Sequence, residues 1–332
     1  MTHKLDLSIA LTPNDLSRPL VDGTVSPQGV RLVPTVIHAS EIYWRQLRFA
    51  DFDVSEMSLS SLFIATSRGD KRWTALPIFT MRRFFHTGIL VRAGAGIDSP
   101  TDLRGKRVGV PEYQQTSAIW SRGILQHEFG VSPTEIDWFM ERGADKSHGG
   151  ATGFTPPRDV RLTQIPPGTD IGKMLLADEL DATLLYLNTA NLVDRSKSDI
   201  SASQKILRLF TDPEAEGRRY YAKTGLYPIN HVVVVRSSVL ERHPWLALNL
   251  YSAFLAARKE SERQAHAVLS PLLETGLLDA GARNALSKDP MPYGINGARR
   301  ELETIAQYVH EQGLTDRIVK LEEVFAPSAL DV

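Results

Sequence analysis

The chain has 332 residues, is 42% hydrophobic and 23% charged, and carries a net charge of −1 with no cysteine. That length accommodates two domains of ordinary size, and near-neutral charge leaves no electrostatic footprint for nucleic acid or an anionic membrane. Without cysteine there are no disulfides, thiolate metal ligands or cysteine nucleophile, and no run reaches the ~18–20 apolar residues that span a bilayer.

The opening MTHKLDLSIALTPNDL has no succession of basic head, long apolar core and small-residue cleavage site, so a cytoplasmic protein is expected. KLDLSIAL (4–11) alternates and then turns apolar, as a strand entering a core does. GVRLVPTVI (29–37) reads as a second strand, and SEIYWRQLRF (40–49) as a helix with Ser40 at its N-cap. FDVSEMS (52–58) is a third strand, followed by a helix, SLSSLFIATSRG (58–69), closed by Gly69. WTALPIFT (73–80) and HTGILVR (86–92) are further strands, and the turn-rich AGAGIDSPTDLRG (93–105) is a natural domain junction.

KRVGVPE (106–112) is then a strand, QTSAIWSRGILQHEFG (115–130) a helix ended by Gly130, and SPTEIDWFM (132–140) a strand. Residues 142–158 have no period and read as a mobile loop. A helix and a strand follow over 170–187, with strands at 205–210 and 229–236. The remainder is helical, with a long amphipathic helix over 246–269 and shorter ones near 271–287 and 297–312.

Strands alternating with helices predict an α/β fold with parallel sheet. The order implies two lobes, 1–92 with 229–332 and 93–228, joined by two crossings with a cleft between them. Ligands of open α/β sheets sit beyond the carboxyl ends of strands.

DLRGKRVGVPEYQQTSAIWSRGIL, preceded by ALPIF and RRFFHTGILVR and followed by LADELDATLLY and LYPINHVVVVR, resembles the type 2 periplasmic-binding-protein fold. More narrowly, VPEYQQTSAIWSRGIL, DVSEMSLSSLF and YPINHVVVVR are similar to the 4,5-dihydroxyphthalate decarboxylase family. The likeness runs from about Leu5 to the helix after Pro244. It implies loss of one carboxyl group from 4,5-dihydroxyphthalate to give 3,4-dihydroxybenzoate and carbon dioxide, with no organic cofactor. The fold serves a non-catalytic solute receptor of a transporter equally well, so a small-acid binding protein is the competing expectation.

A site for this chemistry must hold a carboxylate, deliver a proton to the ring and stabilise charge moved onto the ring oxygens. The N-terminus of the helix at 115–130 leaves backbone N–H groups free for a carboxylate, with Thr116 and Ser117 adding hydroxyls; the bland alternative is that Thr116 caps its own helix. Arginine forks bind carboxylates, which singles out Arg83, Arg92 and Arg122, although most arginines are solvated surface residues. Histidine is the first choice of proton donor near neutral pH. His86 and His231 each open an apolar strand beside a lobe crossing; a structural bond to a carbonyl is the alternative for either. His38 sits at a strand-to-helix turn, and His148 lies in the loop, which could close as a lid. His3, at the N-terminus, and the helical His127, His243, His266 and His310 are set aside.

Glu112 is a candidate acid, base or orienter of a histidine, and Tyr113 a candidate wall for the ring. Asn14, Ser58, Ser60 and Asn188 follow strands and are candidates for binding the hydroxyls, or ordinary turn and cap residues. A divalent metal on the ring hydroxyls would act as an electron sink, but no HExxH-like spacing occurs and none is expected. A homo-oligomer is expected from the frequency of symmetric assemblies.

Overall fold

The computed structural model describes residues 4–200 and 202–332, so His3 lies outside the described residues. Strands β1 (Leu5–Leu11), β2 (Val30–Val36), β3 (Val54–Ser58) and β4 (Trp73–Arg82) alternate with helices α1 (Arg18–Val21), α2 (Ala39–Phe49) and α3 (Leu59–Ser67). The chain then builds a second sheet from β5 (Leu90–Arg92), β6 (Arg107–Val110), β7 (Asp137–Met140), β8 (Arg161–Gln164), β9 (Ala182–Thr183) and β10 (Ile206–Arg208). Among these strands stand α4 (Thr116–Phe129), α5 (His148–Thr152), α6 (Ile171–Leu176) and, after β10, α7 (Pro213–Thr224). It returns in β11 (Ile229–Arg236) and ends in α8 (Ser237–Arg242), α9 (Leu246–Glu274), α10 (Ala280–Leu286) and α11 (Ile295–Glu311).

The first sheet has the order β2-β1-β3-β11-β4, the second β10-β5-β9-β6-β7-β8. In the first, β1 runs parallel to β2 and β3, while β11 is antiparallel to both β3 and β4. The returning strand is therefore threaded through the middle of the sheet. Its run of four valines is buried throughout, as a strand covered on both faces requires.

Several local expectations change. The strand Leu90–Arg92 pairs with β9 and β10, so it belongs to the second sheet and the first crossing spans 83–89 rather than lying near 93. His86 does not open that strand; it sits in a 3₁₀ turn, Phe85–Gly88. Residues 133–135 also form a 3₁₀ turn, delaying β7 to Asp137. The N-cap of α2 is His38, whose Nδ1 accepts from the N–H of Ser40 at 3.3 Å. The loop over 142–158 contains α5, capped by Ser147, whose Oγ accepts from the N–H of Gly150 at 2.7 Å. The polar strand β8 and helix α7 carried no readable period.

One buried apolar cluster runs through β6, α3, α4, β11 and α11, joining the two sheets, and a second packs β1 and β11 against α9. Trp120 of α4, fully buried, donates its indole N–H to the Ile229 carbonyl at the return crossing, 2.8 Å away. One turn on, Gly123 faces the ring of Tyr308 on α11, where a Cβ has no room. Gly123→Ala is expected to cost about 1–3 kcal/mol through overpacking, measured as a fall in Tm; an unchanged Tm would show that this helix contact yields freely.

Candidate active site

The site begins with a buried carboxylate. Glu56 lies on β3 with no solvent exposure. Its Oε1 accepts from the N–H and Oγ1 of Thr12, at 2.8 and 2.7 Å, and its Oε2 accepts from Nδ1 of His231 at 2.8 Å. Sheet register makes the last contact: β11 places His231 opposite Ser58 of β3, two residues from Glu56 and on the same face. Burial alone pushes the Glu56 carboxyl up, but the His231 and Thr12 bonds outweigh it and hold the group below its ordinary value. With Nδ1–H committed to a carboxylate, the tautomer and ring angle of His231 are set, and Nε2 is the nitrogen left for other chemistry.

His231 lines a cavity of about 170 Å³. An apolar cavity of about 150 Å³ accepts benzene, so the space suits a single substituted ring. Its polar walls come from His38, Ser40, Tyr43 and Ser58 on one side and from Gln115, Thr116, Ser117, Arg142 and His148 on the other. Met81, Phe85, Leu185 and Leu187 supply apolar wall, and Arg83 stands at the first crossing. Tyr43 sets its ring edge-on to both His231 and His148, with centroids 5.2 and 5.8 Å away. The Tyr43 hydroxyl and the Gln115 amide nitrogen are buried without a hydrogen-bond partner among the described residues; such groups are costly unless something pairs with them.

The two walls are tied by side chains. Thr116 Oγ1 lies 2.8 Å from Ser58 Oγ and accepts from the Ser60 N–H at 3.0 Å. Arg142 donates through Nε to Asp194 Oδ1 (2.8 Å) and through Nη2 to Ser40 Oγ (2.7 Å), and Ser40 donates to Asp194 Oδ2 (2.6 Å). His148 Nε2 is 3.2 Å from Arg142 Nη1, and its Nδ1 is 2.9 Å from Ser61 Oγ. Arginine only donates, so Nε2 accepts and Nδ1–H points to the serine. Burial, and then Arg142, push His148 well below its ordinary value, fixing it as a neutral ring. His38 is likewise lowered by burial; its Nδ1 is an acceptor, so the neutral ring carries hydrogen on Nε2.

Of the residues singled out from sequence, His231, Arg83, Ser58, Thr116 and Ser117 line the cavity. Arg83 is exposed and makes no ion pair with a described residue. Ser60 lies behind Thr116, and Glu112 behind His148, from whose backbone N–H it accepts at 2.8 Å; burial raises the Glu112 carboxyl. Six others are elsewhere. His86 is bonded to Glu216 at 3.1 Å and packed among Phe84, Phe210 and Tyr220. Arg92 is paired with Asp181. Arg122 is buried over the Tyr113 ring, 3.8 Å from its centroid, bonded to Gln312 and the Tyr113 carbonyl. Tyr113 itself stacks on Phe154. Asn14 holds a turn, donating to the Thr80 carbonyl, and Asn188 lines a neighbouring hollow instead.

Sequence reasoning missed Glu56, Tyr43, Gln115, Arg142 and Asp194. Glu56 left a signal, a carboxylate inside the short strand VSEMS, which must be paired if buried. No group of three or more His, Asp or Glu side chains converges as a metal site among the described residues, and no described helix is long and apolar enough to cross a membrane.

No family model matches the chain. It is 34% identical over 333 residues to a protein of Comamonas testosteroni named 4,5-dihydroxyphthalate decarboxylase, covering 99% of this chain and 98% of that one. A Pseudomonas putida protein of the same name is 35% identical over 222 residues, covering 66% of this chain and 82% of that one. Among solved structures, the aliphatic sulphonate binding protein SsuA of Escherichia coli superposes with a TM-score of 0.53 at 13% identity, covering 98% of this chain and 99% of that one. The SsuA of Xanthomonas axonopodis pv. citri, solved with MOPS bound, gives 0.53 at 13% over 99% of each chain. These two show the fold, a two-lobed periplasmic-binding-protein architecture.

The neutrality of His148 has a measurable consequence. The unfolded chain protonates this ring as pH falls below 6.5, its ordinary value, and the folded chain does not. Stability is therefore lost as pH falls, because the unfolded state binds more protons. Between pH 7 and 5 the wild type should lose more stability than His148→Gln, by up to about 2 kcal/mol if the folded ring takes up no proton over that range, measured by urea denaturation; parallel losses would mean that the folded ring titrates normally.

Proposed function

The chain belongs to the 4,5-dihydroxyphthalate decarboxylase family, and on that footing we propose that it converts 4,5-dihydroxyphthalate to 3,4-dihydroxybenzoate and carbon dioxide, with His231 as the proton donor. The observation that carries this reading is the His231–Glu56 pair, set in the wall of a cavity sized for one ring.

In this scheme the His231 ring, doubly protonated, gives its Nε2 proton to the ring carbon that bears the departing carboxylate. The hydroxyl para to that carbon feeds in the electron pair that forms the new C–H bond. The C–C bond then breaks, its electrons restore the aromatic ring, and carbon dioxide leaves. One proton enters and one carbon dioxide departs, and His231 regains its proton from water. Glu56 balances the charge of the protonated ring, as a buried carboxylate does for a catalytic imidazolium.

The remaining groups suit the rest of the molecule. Arg83, in no ion pair with a described residue, and the α4 N-terminus with the Ser117 hydroxyl suit a retained carboxylate. Tyr43 keeps its proton, because burial and the nearby Glu56 raise it well above its ordinary value; with Gln115 it offers a donor to ring or carboxylate oxygens. Arg142 is neutralised by Asp194, and positions His148 and the seam. His86 and Glu112 take no step. Ring protonation calls on an acid and an electron-rich ring, so the scheme invokes no metal.

Purified protein supplied with 4,5-dihydroxyphthalate should release carbon dioxide in equal amount to substrate consumed. Saturable binding without turnover would favour a receptor. His231→Ala should lower kcat by about 10²–10⁴-fold and Glu56→Gln by less, whereas His86→Asn retains wild-type kcat; the reverse order would reassign the donor. Turnover should also survive exhaustive chelation, and its loss, restored by a divalent ion, would overturn the metal-free route.

A further inference from the structure

The wall formed by Arg83, Phe85, Leu185 and Leu187 is shared with a second hollow of about 500 Å³. The polar walls of the catalytic cavity are knitted together by the Ser58–Thr116, Ser40–Arg142 and Ser61–His148 bonds. The shared wall has no such tie. The outer hollow continues past Asn188 and Asp199 to β10, where Arg208, opposite Leu90 of β5, lines its far side. Its charged lining is thus two guanidiniums, Arg83 and Arg208, against one carboxylate, Asp199. Neither arginine is in an ion pair with a described residue, and Arg208 is exposed.

We propose that this outer hollow is a vestibule that captures aromatic dicarboxylates, Arg208 engaging the dianion first and Arg83 drawing it into the catalytic cavity. The inference rests on the aromatic-diacid reading above. A partly enclosed site whose lining carries an excess of one sign of charge, here two guanidiniums to one carboxylate, focuses its field and raises the encounter rate of an opposite charge by factors of up to about 10–10³. Arg208 acts only before the chemistry, so its contribution belongs to kcat/KM and not to kcat. It is also screened by salt, since the Debye length shrinks from about 30 Å at 0.01 M to about 8 Å at 0.15 M.

The experiment compares Arg208→Glu with Lys71→Glu, which changes net charge equally. Lys71 is exposed and precedes β4 at the end of that strand remote from Arg83. With 4,5-dihydroxyphthalate at about 0.01 M salt, Arg208→Glu should lower kcat/KM by about tenfold relative to Lys71→Glu, with kcat unchanged, and the gap should close by about 0.5 M salt. Equal kcat/KM for the two variants, or a fall confined to kcat, would overturn the vestibule. Failure of the wild type to turn over substrate would refute the substrate reading alone. Calorimetric titration with unreactive phthalate then decides the vestibule: weaker binding by Arg208→Glu than by Lys71→Glu at low salt supports it, and equal binding sinks it.

Discussion

A carboxylate with no access to water must be paired, and in this protein the pairing of Glu56 determines how an imidazole is presented to the interlobe cavity. An isolated ion in that position would cost several kcal/mol. Thr12 supplies two hydrogen bonds from the end of β1, and His231 supplies the third from β11. The requirement ties three strands of the first sheet at one end, the end that faces the second lobe. A histidine held this way has one nitrogen spoken for and one available. Threading β11 between β3 and β4 thus does more than complete the sheet. It delivers the imidazole to the interlobe cavity on a strand buried on both sides.

The second lobe answers with a network of its own. Arg142 spends its donors on Asp194, Ser40 and His148, so the closed seam has few polar groups left to choose among. What the network leaves unpaired among the described residues is informative: the Arg83 cation, the Tyr43 hydroxyl and the Gln115 amide nitrogen. Two fixed neutral imidazoles, His38 and His148, stand near a third that is backed by a carboxylate. The three histidines thus stand in three different environments, one capping a helix, one held by Arg142 and Ser61, and one backed by Glu56. The same two-lobed fold occurs in sulphonate-binding proteins, so the fold by itself specifies none of this.

Much of the architecture was legible because its signals are local. The runs KLDLSIAL and INHVVVVR declare buried strands, Gly130 does end α4 in a left-handed conformation, and Thr116 and Ser117 do stand at the start of α4 in the cleft. His231 was legible as a histidine at the head of a core strand. The parallel argument for His86 failed because Arg83–Ile89 leaves the first sheet through a 3₁₀ turn, which aims the ring at Glu216. Arg122 was misread because only tertiary packing shows that a helical arginine is covered by Tyr113 and Trp138. Arg142 and Asp194 come from aperiodic segments 52 residues apart; nothing short of closure brings them together.

The most direct test is a crystal structure with phthalate, which offers both carboxylates and lacks the hydroxyls that drive the reaction. The ring should occupy the cavity between Tyr43 and Leu185, with His231 Nε2 about 3–3.5 Å from a carboxyl-bearing carbon, the separation of a reactive pair. A ring bound elsewhere, or bound there with Nε2 turned from every carboxyl-bearing carbon, would contradict the assignment of His231 as the acid.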